Sequence, residues 1–161
     1  MGESAVGWRG AVVQLCRAPA ASCPMVVEAR LNLIAARGVE GDRYLLGTGF
    51  YSNKPEVGRQ VTLFEIETLE ALARDQGIHF SPHEHRRNVT VRGVPLNHLV
   101  GQRFLIGQVL VEATRLSVPC HHLEEVSGQS VFKALLHRSG LNCQILRGGA
   151  IAVGDAVRPA D

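Results

Sequence analysis

Between Trp8 and Val157 the chain is a succession of short β-prone runs, each ended by glycine, proline or a polar turn. Trp8–Cys16 and the loosely alternating Met25–Leu33 come first, then Gln60–Phe64 and Val89–Val91. Gln102–Ile106 and Gln108–Ala113 read as a hairpin turning at Gly107. Leu141–Leu146 and Ala150–Val157 close the series, with turns at Gly148-Gly149 and Gly154-Asp155. Strands and helices do not alternate in the way a parallel, doubly wound sheet requires. The pattern therefore predicts a mainly β protein, a closed or nearly closed antiparallel barrel with a few peripheral α-helices.

The clearest helix is Glu65–Gln76. Ile66, Leu69, Leu72 and Ala73 make its apolar stripe, and Gly77 follows its end. Ser130–Arg138 has helical spacing as well, and Asn97–Val100 suggests a short helical turn. With 161 residues, one domain spanning 1–161 is expected, large enough to bury about two-thirds of its unfolded surface. Gly47–Arg59 is a long polar loop carrying Phe50 and Tyr51, of the kind that often covers a site.

Charge argues against a polyanionic partner. The formal net charge is +2, with no basic block, so neither nucleic acid nor an anionic membrane is expected. No apolar run is long enough to span a bilayer, and the first residues lack the charged and apolar regions of a secretory leader. Four cysteines, irregularly spaced, are too few for a disulfide framework, which makes the cytoplasm the expected compartment. The cations are fifteen arginines and two lysines, Lys54 and Lys133. Neither lysine adjoins a phosphate cup, so covalently bound pyridoxal phosphate is not expected. The absence of a Gly-x-Ser-x-Gly elbow argues against a serine hydrolase.

The strongest chemical candidate is Cys120. A β-rich run, Val109–Leu116, delivers the chain to Pro119, after which the composition turns helix-prone. Proline suits the first helical position, so Cys120 would sit in a first turn where unpaired N–H groups favour a thiolate. A structural, buried cysteine is the alternative. Zinc on Cys120, His121, His122 and Cys143 is disfavoured, because adjacent ligands do not match tetrahedral spacing.

Arg86-Arg87-Asn88 offers two guanidinium forks and an amide, right for an oxyanion, or else a solvated basic pair. In Gly41-Asp42-Arg43, Asp42 is expected to cap a turn, with contact to a ligand as the alternative. His137-Arg138 and Asn142 are further polar candidates, equally readable as a helix end.

These pieces occur in a recognisable order. Gly38-Val39-Glu40-Gly41-Asp42-Arg43-Tyr44, Gly58-Arg59-Gln60-Val61-Thr62-Leu63, Arg86-Arg87-Asn88 and Pro119-Cys120 are followed by the closing Gly149-x-Ile151-x-x-Gly154-Asp155. Between them, Leu99-x-Gly101-x-x-Phe104-x-Ile106-Gly107 also fits. Together they resemble the MOSC family, the C-terminal domain of molybdenum cofactor sulfurases, across a core from about Val12 to Val157. The chain looks like a stand-alone, bacterial-type member.

The resemblance implies a β-barrel that binds the molybdenum cofactor (molybdopterin), with Cys120 as catalytic residue and metal ligand. It implies that Arg86, Arg87 and Asn88 hold the cofactor phosphate, with Asp42 and Arg43 nearby. The activity implied is oxidoreductase chemistry on a small molecule, the reduction of N-hydroxylated compounds by oxygen-atom transfer. No partner domain or ferredoxin-like extension accompanies the match, so an external electron donor is expected. The alternative family role is a sulfur carrier whose Cys120 bears a persulfide received from a pyridoxal-dependent cysteine desulfurase.

Overall fold

The computed structural model describes residues 7–21, 23–47, 49, 59–81, 84–117 and 133–160. The strands among them are β1 (Gly10–Arg17), β2 (Val26–Glu28), β3 (Arg30–Ile34), β4 (Gly38–Val39), β5 (Val61–Glu65) and β6 (Val89–Arg92). β7 (Arg103–Ile106), β8 (Val109–Leu116), β9 (Leu141–Arg147), β10 (Gly149–Ala152) and β11 (Ala156–Pro159) follow. The helices are α1 (Arg43–Leu46), α2 (Ile66–Gln76) and a 3₁₀ turn at Leu96–His98.

Seven strands close into a barrel, in the order β1, β11, β7, β8, β9, β5, β6 and back to β1, while β2 extends the sheet from β1. A second sheet, β10-β3-β4, packs Leu31, Leu33, Val39 and Ile151 into the same core as the barrel's inward residues. Those include Leu15, Leu63, Val91, Phe104, Val111 and Ile145, all buried. Each such side chain contributes about 1.5–3 kcal/mol on full burial, so a closed ring of them favours closure.

The expected barrel is present, but it is mixed rather than wholly antiparallel. β5 and β6 run parallel, with Leu63 opposite Val89 and Glu65 opposite Val91, and α2 makes the crossover between them. The residues explain this. Val61–Phe64 and Val89–Val91 are buried on consecutive positions, so both faces of this strand pair are covered. Covering on both faces is the habit of parallel strands. The barrel core takes Val61, Leu63, Val89 and Val91, while Phe64 packs outside it with Leu69 and Leu72 of α2, Phe80 and Leu135.

Two expected strands are each divided. Met25–Leu33 breaks at Ala29, so that β2 pairs with β1 and β3 pairs with β10. Ala150–Val157 breaks at Val153-Gly154-Asp155, where the Asp155 carboxylate accepts the Ala152 N–H at 2.9 Å. The helix expected over Ser130–Arg138 falls partly outside the described residues. From Lys133 onward the chain forms turns of i to i+3 type, with Arg138 N–H donating to Leu135 C=O at 3.0 Å. No helix among the described residues is long and apolar enough to cross a membrane.

Candidate anion-binding site

The site is assembled where β1 ends and where the chain turns into β6. Gly41 holds φ +78 against the Arg17 side chain, a conformation suited to glycine. Asp42 then caps α1, the capping role expected for it. Its carboxylate accepts the Tyr44 N–H at 3.5 Å and the Ala18 N–H at 3.1 Å, tying the helix start to the end of β1. The Arg43 N–H donates back to Ala18 C=O at 2.7 Å.

This cap fixes Arg43, which is only 5% exposed. Its guanidinium donates to Asp42 at 3.1 Å, to the Met25 thioether at 3.4 Å and to the Arg86 carbonyl at 2.9 Å. It also lies 4.9 Å from the centroid of the Tyr44 ring.

Arg86 is buried beside it and sits at φ +63, in the left-handed region. For a residue with a side chain this conformation costs about 1–2 kcal/mol and persists only where the surroundings enforce it. Its Nη1 donates to the Cys23 carbonyl at 2.6 Å. Its Nη2 is buried and has no hydrogen-bond partner among the described residues. Burial, and then the nearby Arg43 charge, pull the guanidinium below its ordinary pKa. The Asp42 carboxylate is paired with Arg43 and reaches Arg86 only through space. A buried, incompletely paired charge costs several kcal/mol, and an anion accepting from Nη2 would offset that cost.

The left-handed turn at Arg86 splays the arginine pair apart. Arg87, half-buried, donates through Nε to the Ser139 carbonyl at 3.0 Å and through Nη2 to the Ser139 hydroxyl at 3.1 Å. Neither guanidinium of the pair stands out in solvent as a bare cation. Asn88 is occupied inside the sheet: Oδ1 accepts the Thr62 N–H and hydroxyl at 3.1 and 3.2 Å, and Nδ2 donates to Cys16 C=O at 3.2 Å. It thus staples β5 to β1 across the start of β6. The structure therefore brings Asp42, Arg43 and Arg86 together, and sends Arg87 and Asn88 in other directions.

Cys120, Pro119, His121 and His122 lie outside the described residues, as does most of Gly47–Arg59. Among the described residues the chain on this side is held up to Ser117. Ser117, just past β8, donates its N–H to Gly140 C=O at 2.8 Å, and its hydroxyl bonds the Asn142 side chain. Gly140, at φ +105, lies so close to the Leu63 carbonyl that a Cβ there would collide with it. Because Arg87 holds Ser139, this arginine braces the turn against which the chain towards Cys120 is anchored. At the His137-Arg138 end the bonds go elsewhere, with Asn97 Nδ2 donating to His137 C=O and Arg138 Nε to Ala134 C=O.

The remaining cysteines differ among themselves. Burial pushes the Cys16 thiol up to about 11, and pushes that of Cys143, in the barrel core, higher still. Cys23 is half-buried and packs against Cys16, Ala18 and Met25. No cluster of three His, Cys, Asp or Glu side chains suited to a metal ion occurs among the described residues. The contributions of Cys23, Met25 and Ser139 were not read from the sequence, since a backbone carbonyl and a thioether carry no motif.

Comparison with known proteins adds the family. The MOSC domain matches residues 41–158, from the glycine before Asp42 to the last strand. The chain belongs to the MOSC domain family. That family is associated with binding of the molybdenum cofactor. Among solved structures, this MOSC chain is similar to the YuaD protein from Bacillus subtilis, at 22% identity and TM-score 0.76, covering 96% of this chain and 100% of that one. It is similar to YiiM from Geobacillus stearothermophilus at 15% identity and TM-score 0.72, over 94% and 75% of the two chains. YiiM from Escherichia coli gives 15% identity and TM-score 0.64, over 97% and 70%. At such identities the likeness speaks for the fold. No curated protein matches the sequence.

The donor set suits an oxyanion. A partnerless, buried guanidinium nitrogen beside a second buried arginine is a ready donor to phosphate oxygens, including those at the phosphate end of a pterin cofactor.

Proposed function

We propose that this MOSC protein binds the molybdenum cofactor and reduces N-hydroxylated small molecules in the cytoplasm, with Cys120 as the metal ligand. The observation that carries the reading is the buried Arg86 Nη2 without a partner, set beside Arg43 in a domain of this family. Bound there, the cofactor supplies the metal-centred redox chemistry, and the protein supplies binding and orientation.

Arg86 holds the cofactor phosphate, and Arg43 supplies a second positive charge. Asp42 keeps Arg43 in place and stops the two guanidiniums from repelling one another apart. Arg87 acts at a distance, bracing Ser139 and through it the chain that leads to Cys120. A soft thiolate suits a soft, high-valent metal, which is the reason to assign the ligand to Cys120. Electrons come from an external donor.

An assay of the purified full-length protein with an N-hydroxylated amidine and a chemical reductant tests this reading. Turnover is expected after expression in a host that makes the cofactor, and Cys120→Ser should abolish it while leaving the fold intact. If Cys120 instead takes up a labile sulfur from a cysteine desulfurase and no N–O reduction occurs, the protein is a sulfur carrier and the reductase reading fails.

A further inference from the structure

Arg86 holds an unfavourable backbone conformation, and something adjacent must impose it. His85 is fully buried, and its ring stacks on Phe64 with centroids 4.3 Å apart and planes 18° apart. Its Nδ1 accepts the Arg87 N–H at 2.8 Å, and its Nε2 lies 2.7 Å from the Thr90 hydroxyl. An imidazole nitrogen that accepts from an amide carries no proton, so the ring proton sits on Nε2 and is donated to Thr90. Phe64 and Thr90 belong to β5 and β6, so the ring is fixed to the parallel strand pair.

The bond from side chain i to N–H i+2 is the pattern of an Asx turn, with imidazole Nδ1 where asparagine would place Oδ1. Arg86 is the residue enclosed by that turn, at φ +63. The Arg43–Arg86 carbonyl bond closes the other side of the same peptide.

We infer that His85 is a positioning residue for the anion site: by accepting the Arg87 N–H it locks Arg86 into the left-handed conformation that turns its guanidinium inward beside Arg43. This inference rests on Arg86 being an anion ligand, as proposed above. A ring that merely filled space would need only its shape, whereas a positioning ring needs its Nδ1 acceptor.

Two substitutions separate these requirements. His85→Asn keeps an acceptor in the same place and loses the stack on Phe64. His85→Phe keeps the stack and loses the acceptor. Binding of inorganic phosphate to the full-length, cofactor-free protein is measured by calorimetry, alongside denaturant unfolding, with Arg86→Gln as control. His85→Asn is expected to lose stability yet keep phosphate affinity within about threefold of wild type. His85→Phe is expected to lose about tenfold or more, the scale of one hydrogen bond's worth of positioning.

Equal affinity in His85→Phe and wild type, with Arg86→Gln defective, overturns the role of His85 while leaving the anion site standing. Wild-type protein whose phosphate binding is absent or unchanged by Arg86→Gln overturns the anion site itself, and the inference with it. Should His85→Phe fail to fold, the imidazole ¹⁵N resonances of wild-type protein give the answer. An unprotonated Nδ1 and a protonated Nε2 are expected, and a protonated Nδ1 overturns the proposal.

Discussion

Arg86 combines two unfavourable features, a left-handed backbone and a buried charge without full pairing. Asparagine adopts that backbone readily and carries no charge. Arg86→Asn is therefore expected to raise stability by about 1 kcal/mol in phosphate-free buffer while abolishing phosphate binding, as seen in unfolding curves with and without the anion. Loss of stability in phosphate-free buffer would mean that the conformation is structural rather than held for a ligand. The opposite holds at Asn88, whose amide ties β5 to β1 at the start of β6. Asn88→Ala leaves the Thr62 N–H and Cys16 C=O unpaired in a buried setting, and should cost about 2–4 kcal/mol in chemical unfolding. The sequence showed Asp42 as a cap because aspartate after glycine has a strong local habit. It gave no sign that Arg86 and Arg87 diverge, since arginine is not a left-handed residue and the histidine that enforces it carries no motif.

α2 starts without a side-chain cap: Glu65 occupies the position and makes no capping bond. Burial chiefly, and then the neighbouring Glu67 carboxylate, hold the Glu65 carboxyl above its ordinary value of 4.5. The folded state thus holds this proton more tightly than the unfolded chain. Its contribution is fully present below the ordinary carboxylate range and is lost as pH rises through the raised value. Glu65→Gln should accordingly be more stable than wild type at neutral pH, with the difference closing in acid, and a pH series of thermal melts checks it. A difference that widens in acid would contradict the assignment. The helix itself was legible from its stripe and the glycine behind it. The parallel pairing of the strands it joins was not, because Val61–Phe64 reads as the same short apolar run in either orientation.

At the scale of the molecule, closure depends on β1 pairing with both β6 and β11, strands from distant parts of the chain. Local pattern indicates many short strands and favours a barrel, but carries no signal for a contact between Gly10 and Val157. The resemblance carried by the ordered motifs implied a barrel, and the pairing of Gly10 with Val157 that closes it is supplied by the structure. The arrangement gathers Asp42 and Arg43 from one end of the match and Arg86 from its middle into one buried cluster, something no spacing in the sequence expresses.

The central claim, that this cluster and Cys120 together hold a molybdenum cofactor, is tested most directly by metal analysis of the full-length protein purified from a host that synthesises molybdopterin. Stoichiometric molybdenum is expected in the wild type, with strong depletion in Cys120→Ser and in Arg86→Gln, both folded. Wild-type protein free of molybdenum, or either variant retaining the full wild-type content, would contradict the account.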